Sequence, residues 1–156
     1  MKKIIIILTV FFLDRITKVY LLNLQENGTD IDFYINSFLN FYLVWNSGIG
    51  FGLVSMEADI YYHIVTAIIV IINLGLIYFL TKSKGGNSYL LAIIIGGSLG
   101  NLFDRIYYHA VPDFIDLHLS NHHWFIFNIA DIFITLGIIG LLIVELTKKE
   151  KISKNA

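Results

Sequence analysis

The chain has 156 residues, 56% of them hydrophobic and only 15% charged, against roughly 25% charged in an average soluble domain. A net charge of −1 excludes a basic field for nucleic acid, and the absence of cysteine excludes disulfides, thiolate catalysis and cysteine-held metals. A mean hydropathy of +0.72 and long apolar runs point to a membrane protein.

The opening MKKIIIILTVFFL resembles a secretory leader, but no small-x-small cleavage site follows. The spacing predicts an uncleaved first span over residues 4–24. Asp14 and Lys18 share one face of it at i,i+4. They read either as a neutralising pair or as a face turned to a polar site between helices. Residues 25–58 form a loop without Lys or Arg. Within it FYINSFLNFYLVWN predicts one or two short strands on the membrane surface. NSGIGFGL (Asn46–Leu53) follows, with Gly48, Gly50 and Gly52 marking irregular backbone. It reads as a plain turn or as a segment that lets another chain come close.

A second span is predicted over 61–80, then a turn carrying Lys82 and Lys84. The third span, 89–107, holds Gly96, Gly97 and Gly100, which favour close helix packing. Residues 108–125 read as a second loop free of Lys and Arg, and 127–146 as a fourth span. The expected fold is thus all-α, four transmembrane helices in one domain over 1–147, with a small β-cradle from the first loop. Residues 148–156 read as a basic, unstructured tail. Lysines fall at the N-terminus, the middle turn and the tail, which predicts both termini in the cytoplasm and both long loops outside. Arg15, Lys18 and Arg105 fall within spans beside aspartates and read as paired. Trp45 and Trp124 fit an aromatic belt or local packing.

Three carboxylates then stand out: Asp104, Asp113 and Asp131. A carboxylate at membrane depth costs roughly 2.5–3.5 kcal/mol on insertion scales, so it marks a functional site by default. At ~1.5 Å rise per residue Asp104 lies about 20–25 Å along its helix, and Asp131 about 25 Å from Lys148. Asp113 returns to the same level, so all three reach one outer plane. Two close carboxylates share a proton and can activate water against an amide. Asp113 and Asp131 are assigned that role. Asp104, with Asn101 on its helix face and Arg105 beside it, is assigned support. His118, His122 and His123 raise a zinc reading with Asp113 or Asp116. Their setting reads as a loop, adjacent histidines rarely converge and no HExxH occurs, so neither metal nor cofactor is expected. Neither Ser98 nor Ser120 has the partners of a serine nucleophile.

NLFDR (Asn101–Arg105), VPDF (Val111–Phe114) and FNIAD (Phe127–Asp131) resemble the signature blocks of lipoprotein signal peptidase, signal peptidase II. DRITK (Asp14–Lys18) and NSGIGFG (Asn46–Gly52) resemble two further blocks, in the same order. The resemblance implies a metal-free aspartyl endopeptidase of the bacterial cytoplasmic membrane. Such an enzyme removes signal peptides from diacylglyceryl-modified prolipoproteins, just before the lipidated cysteine. It implies Asp113 and Asp131 as the dyad. Asp14, Lys18, Asn46, Gly48, Asn101, Asp104, Arg105, Asn128 and Ala130 would support the site or bind substrate. It also implies globomycin-type inhibitors as ligands, membrane lipids as surroundings, an active monomer and an extracytoplasmic site. Pro112, Ile49, Gly50 and Ile132 depart from the usual family residues and bear on substrate preference. The rival readings are a small transporter or proton relay using the same acids, and a non-catalytic membrane partner.

Overall fold

The structure is a computed structural model and describes residues 1–48, 56–119 and 122–154. Along these residues run α1 (Lys2–Glu26), β1 (Asp32–Asn36), β2 (Leu39–Asn46), α2 (Met56–Lys82), α3 (Gly86–Tyr108), β3 (Val111–Leu119), β4 (His122–Phe127) and α4 (Ile129–Lys154). Three of the helices are long and apolar enough to cross a membrane: Ile60–Lys82, Gly86–Tyr108 and Ile129–Lys148. α1 is as long, but Asp14, Arg15 and Lys18 interrupt its apolar run, and all three are buried.

α3 is the central helix, packed against α1, α2 and α4. Its glycines allow this. A Cβ on Gly97 would stand 2.6 Å from the Ala130 carbonyl of α4, and one on Gly100 would stand 2.6 Å from Asp14 Oδ2 of α1. A side chain at Gly97 would meet backbone, and one at Gly100 would displace the Asp14 carboxylate. α2 keeps most of its apolar surface outward, as Ile64, Ile68, Ile71, Leu74 and Tyr78 show. Among the described residues, two polar bonds hold it to α3: Asn73 Nδ2 donates to Ser98 Oγ at 2.8 Å, and the Tyr62 hydroxyl donates to the Arg105 carbonyl. At the lysine-rich end, Lys3 Nζ donates to the Leu80 and Ser83 carbonyls at 3.2 and 3.0 Å. These two bonds tie the start of α1 to the end of α2 and the residue after it, satisfying carbonyls left open there.

The other end carries one antiparallel sheet in the order β1-β2-β3-β4. β1 and β2 lie in the first loop, where strands are expected, but the sheet corrects the origin of the cradle in that loop alone and the reading of residues 108–125 as a loop. Two of the four strands come from that second segment. VPDFIDLHL and HHWFIF are β-branched and aromatic runs, and their cross-strand pairs outweigh the polar residues among them. Leu21 of α1, Ile31, and Phe114 and Ile115 of β3 form a small core beneath the sheet. A second correction concerns the tail. α4 continues through Lys154, because the run after Leu146 is rich in good helix formers.

α3 turns into β3 through His109 and Ala110. His109 adopts the left-handed conformation, φ 59°, and its N–H closes back on the Arg105 carbonyl at 3.2 Å. This tight cap sets Asp113 only a few residues past the helix end. Pro112 is buried and faces Trp45 of β2. β4 pairs with β3 only from Ile115 onward, so the missing proline N–H breaks no ladder on that side.

Candidate active site

Asn128 and Asp131 form a reciprocal cap at the start of α4. Asn128 Oδ1 accepts from the Asp131 N–H at 3.1 Å, and Asp131 Oδ2 accepts from the Asn128 N–H at 3.2 Å. This is the geometry of a capping box, which N-x-x-D spacing encodes locally. It leaves the Asn128 amide nitrogen free, and that nitrogen donates to Asp113 Oδ1 at 2.6 Å. Asn46, at the end of β2, works the same way. Its Oδ1 accepts from the Gly48 N–H at 2.8 Å in an Asx turn, so its Nδ2 points to Asp113 Oδ2, also at 2.8 Å. Gly48 takes φ +75° there, a conformation that favours glycine.

Asp131 has a second donor, Asn101 Nδ2 of α3, at 2.7 Å. Lys18 orients that amide by donating to Asn101 Oδ1 at 2.9 Å. Lys18 also donates to Asp14 Oδ2 at 2.8 Å and Asp104 Oδ2 at 2.6 Å. Asp14 Oδ1 in turn accepts from the Ala130 N–H of α4 at 3.0 Å. Arg15 donates to Asp104 Oδ1, and its guanidinium lies 4.6 Å from the Phe103 ring centre. Asp14, Lys18 and Asp104 are fully buried. Buried ions this dense persist only when every charge is matched and hydrogen-bonded. Both alternatives for the Asp14–Lys18 pair therefore hold together: it is neutralising, and it faces polar groups of α3 and α4.

Asp113 and Asp131 line one groove of about 650 Å³ with Asn46, Leu117, Phe127, Ile132, Thr135 and Leu136. Burial pushes the Asp113 carboxyl above the usual carboxylate range. The amides of Asn46 and Asn128 pull it back, and the Asp131 charge adds to the upward push. A raised carboxyl beside a second carboxyl, both facing a mostly apolar groove, can hold one proton between them.

Asp104 is placed otherwise than expected. Its cations are Arg15 and Lys18 of α1, not the neighbouring Arg105, because successive helix positions point about 100° apart. Arg105 instead faces the Gly48 turn, where a Cβ would lie 3.4 Å from its Nη1. Its Nε and Nη1 have no hydrogen-bond partner among the described residues. Sequence reasoning missed Arg15 and Thr135 as neighbours of the site. Thr135 stands four residues after Asp131, a spacing that puts both on one helix face. Trp45 packs edge-to-face on Tyr108 at 5.5 Å, favouring local packing. Ile49, Gly50, Gly52 and Ser120 lie outside the described residues, as does the Trp124 side chain.

A sequence profile of the family described as Signal peptidase (SPase) II matches residues 6–147. The chain belongs to that family. A lipoprotein signal peptidase of Pelagibacter ubique is 50% identical over 142 residues, covering 91% of this chain and 86% of the relative. One from Anaplasma phagocytophilum is 39% identical and covers 96% and 95%. A solved bacterial membrane enzyme, determined by the in meso method at 2.3 Å resolution, superposes with a TM-score of 0.74. It shares 29% identity and covers 96% of this chain and 90% of its own. As a signal peptidase II the chain is a protease and a multi-pass membrane protein. None of these relatives supports the transporter or proton-relay reading.

Proposed function

We propose that this signal peptidase II is an aspartyl endopeptidase working through Asp113 and Asp131. Its substrates would be diacylglyceryl-modified prolipoproteins, cut just before the lipidated cysteine. One observation carries the reading. The two carboxylates line the same groove, and each accepts N–H donors from two directions. Those donors fix the carboxylates while leaving the groove side to a water and a scissile amide.

In the proposed reaction one carboxyl is ionised and one protonated. The ionised one takes a proton from water as the water oxygen attacks the amide carbon. The protonated one donates to the carbonyl oxygen. The tetrahedral adduct then collapses. Its C–N bond breaks, the leaving nitrogen receives the proton first taken from water, and one adduct hydroxyl returns its proton to the second carboxylate, which leaves a carboxylic acid and restores the dyad. No step needs a metal.

The remaining placement belongs to the same proposal. α1 spans the membrane as the fourth helix, because its ions are neutralised inside the protein. The lysine-rich end lies in the cytoplasm, and the sheet forms a cradle at the outer face of the bacterial cytoplasmic membrane. Substrate enters sideways from the bilayer, guided by its lipid and apolar signal helix. Globomycin-type peptides compete in the groove, and a monomer suffices.

The test is cleavage of a purified diacylglyceryl prolipoprotein in detergent containing EDTA. Asp113→Asn and Asp131→Asn are expected to lose roughly 10²–10⁴-fold in rate with folding intact, the range of general acid–base effects. Cleavage at the wild-type rate by either variant overturns the dyad.

A further inference from the structure

The β3–β4 hairpin carries a second cluster, outside the groove. Asp116, His118 and His123 bring one ligand atom each to within 4.8 Å of one another. His123 Nδ1 lies 2.8 Å from Asp116 Oδ2 and His118 Nδ1 lies 3.5 Å from it. A register shift between Leu117 and His118 creates this grouping. Asp116 pairs with Ile126 and Leu117 with Phe125, but His118 then faces His123. Such an irregularity re-aims a side chain, and here it turns His123 toward Asp116 and His118 while His122 falls outside the cluster.

The cluster holds buried polar atoms without hydrogen-bond partners among the described residues. The Asp116 side chain is 1% exposed, and its Oδ1 has no partner among the described residues. The His118 side chain is 9% exposed, and its Nδ1 is likewise buried and unpartnered. β1, β2, β3 and β4 contain no Lys or Arg, so no strand offers a fixed positive charge. A buried carboxylate oxygen without a partner is costly. The His123 side chain is 58% exposed, which leaves a way in from solvent.

We infer that Asp116, His118 and His123 form a site for a divalent transition ion of the zinc type. Two imidazole nitrogens and one carboxylate oxygen suit that class, with water as the fourth ligand. Ligands about 2.0–2.2 Å from a tetrahedral zinc stand roughly 3.3–3.6 Å apart. The 3.5 Å spacing of His118 from Asp116 Oδ2 falls in that range, and the 2.8 Å spacing of His123, a hydrogen bond without the ion, must open by about half an ångström to reach it. The ion clamps β3 to β4. Asp113 lies three residues before Asp116 on β3, and Asn128 directly follows β4, so the clamp stiffens the hairpin that presents both. The site is structural, and it does not depend on the peptidase reading.

The experiment uses the full chain in detergent, purified without a histidine tag and stripped with EDTA. Zinc chloride is titrated calorimetrically, cobalt(II) is added as a spectroscopic probe, and Tm is followed with and without zinc. Wild type and His122→Ala are expected to bind one zinc per chain, give a tetrahedral cobalt spectrum and gain Tm. His123→Ala is expected to bind more than about 100-fold more weakly, beyond the loss seen for outer-shell changes, and to lower the stripped Tm somewhat, since His123 is the hydrogen-bond partner of buried Asp116 Oδ2. Its zinc-dependent Tm gain is expected to vanish. Asp116→Asn should behave alike if it folds. Equal zinc affinity in wild type and His123→Ala, or no Tm gain in wild type at saturating zinc, overturns the site.

Discussion

Asn46 contacts Asp113 with an amide whose orientation is not free. The Gly48 N–H occupies Oδ1, so only Nδ2 can face the carboxylate. That donor favours the ionised form of Asp113 and opposes the upward push of burial. Asn46→Ala removes it, so Asp113 should hold its proton to higher pH. If a carboxylate in this pair is the base, the acid limb of the kcat/KM profile moves to higher pH. An unmoved limb in a pH series would detach Asn46 from the dyad. The residues themselves were legible in sequence, since the amides and carboxylates lie in short blocks. Their pairing was not. Asp104 next to Arg105 looked like a pair, yet helix geometry sends them apart and delivers Arg15 from another helix.

Among the elements, α3 sets the geometry through what it lacks. Asp14 reaches between helices because Gly100 offers no Cβ, and Ala130 approaches because Gly97 offers none. Gly100→Ala puts a methyl 2.6 Å from Asp14 Oδ2. Either α1 retreats or the carboxylate swings off Lys18 and the Ala130 N–H. Overpacking of this kind costs about 1–3 kcal/mol. A lowered Tm together with lost activity is the expected result, and a Tm equal to wild type would contradict the close approach. Helices of this kind announce themselves by long apolar runs and glycine spacing. The second hairpin did not. Its strands hold aspartate and histidines, and the residues that separate them, Ser120 and Asn121, carry a weak turn signal. The register shift that gathers Asp116 and His123 depends on tertiary pairing, which no local pattern encodes.

For the whole molecule, charge and packing agree on one axis. Gly96 meets α1 and Lys18 meets Asn101, so α1 and α3 run in the same direction. Gly97 against Ala130 and Gly137 against Leu90 make α4 antiparallel. Lys3, Lys82 and Lys84 therefore gather at one end, and the Lys- and Arg-free sheet occupies the other. The proposed orientation, with the sheet outside, is the one that fits the positive-inside rule. The chain has no cysteine, so an introduced one is its sole thiol. Tyr34 on β1 is 71% exposed, and Lys84 lies exposed in the turn before α3. In spheroplasts Tyr34→Cys should react with a membrane-impermeant maleimide, and Lys84→Cys should react only after lysis. The opposite pattern would invert the protein and put the groove in the cytoplasm. Labelling of both positions before lysis would mean that α1 and α2 do not separate the two ends across a bilayer.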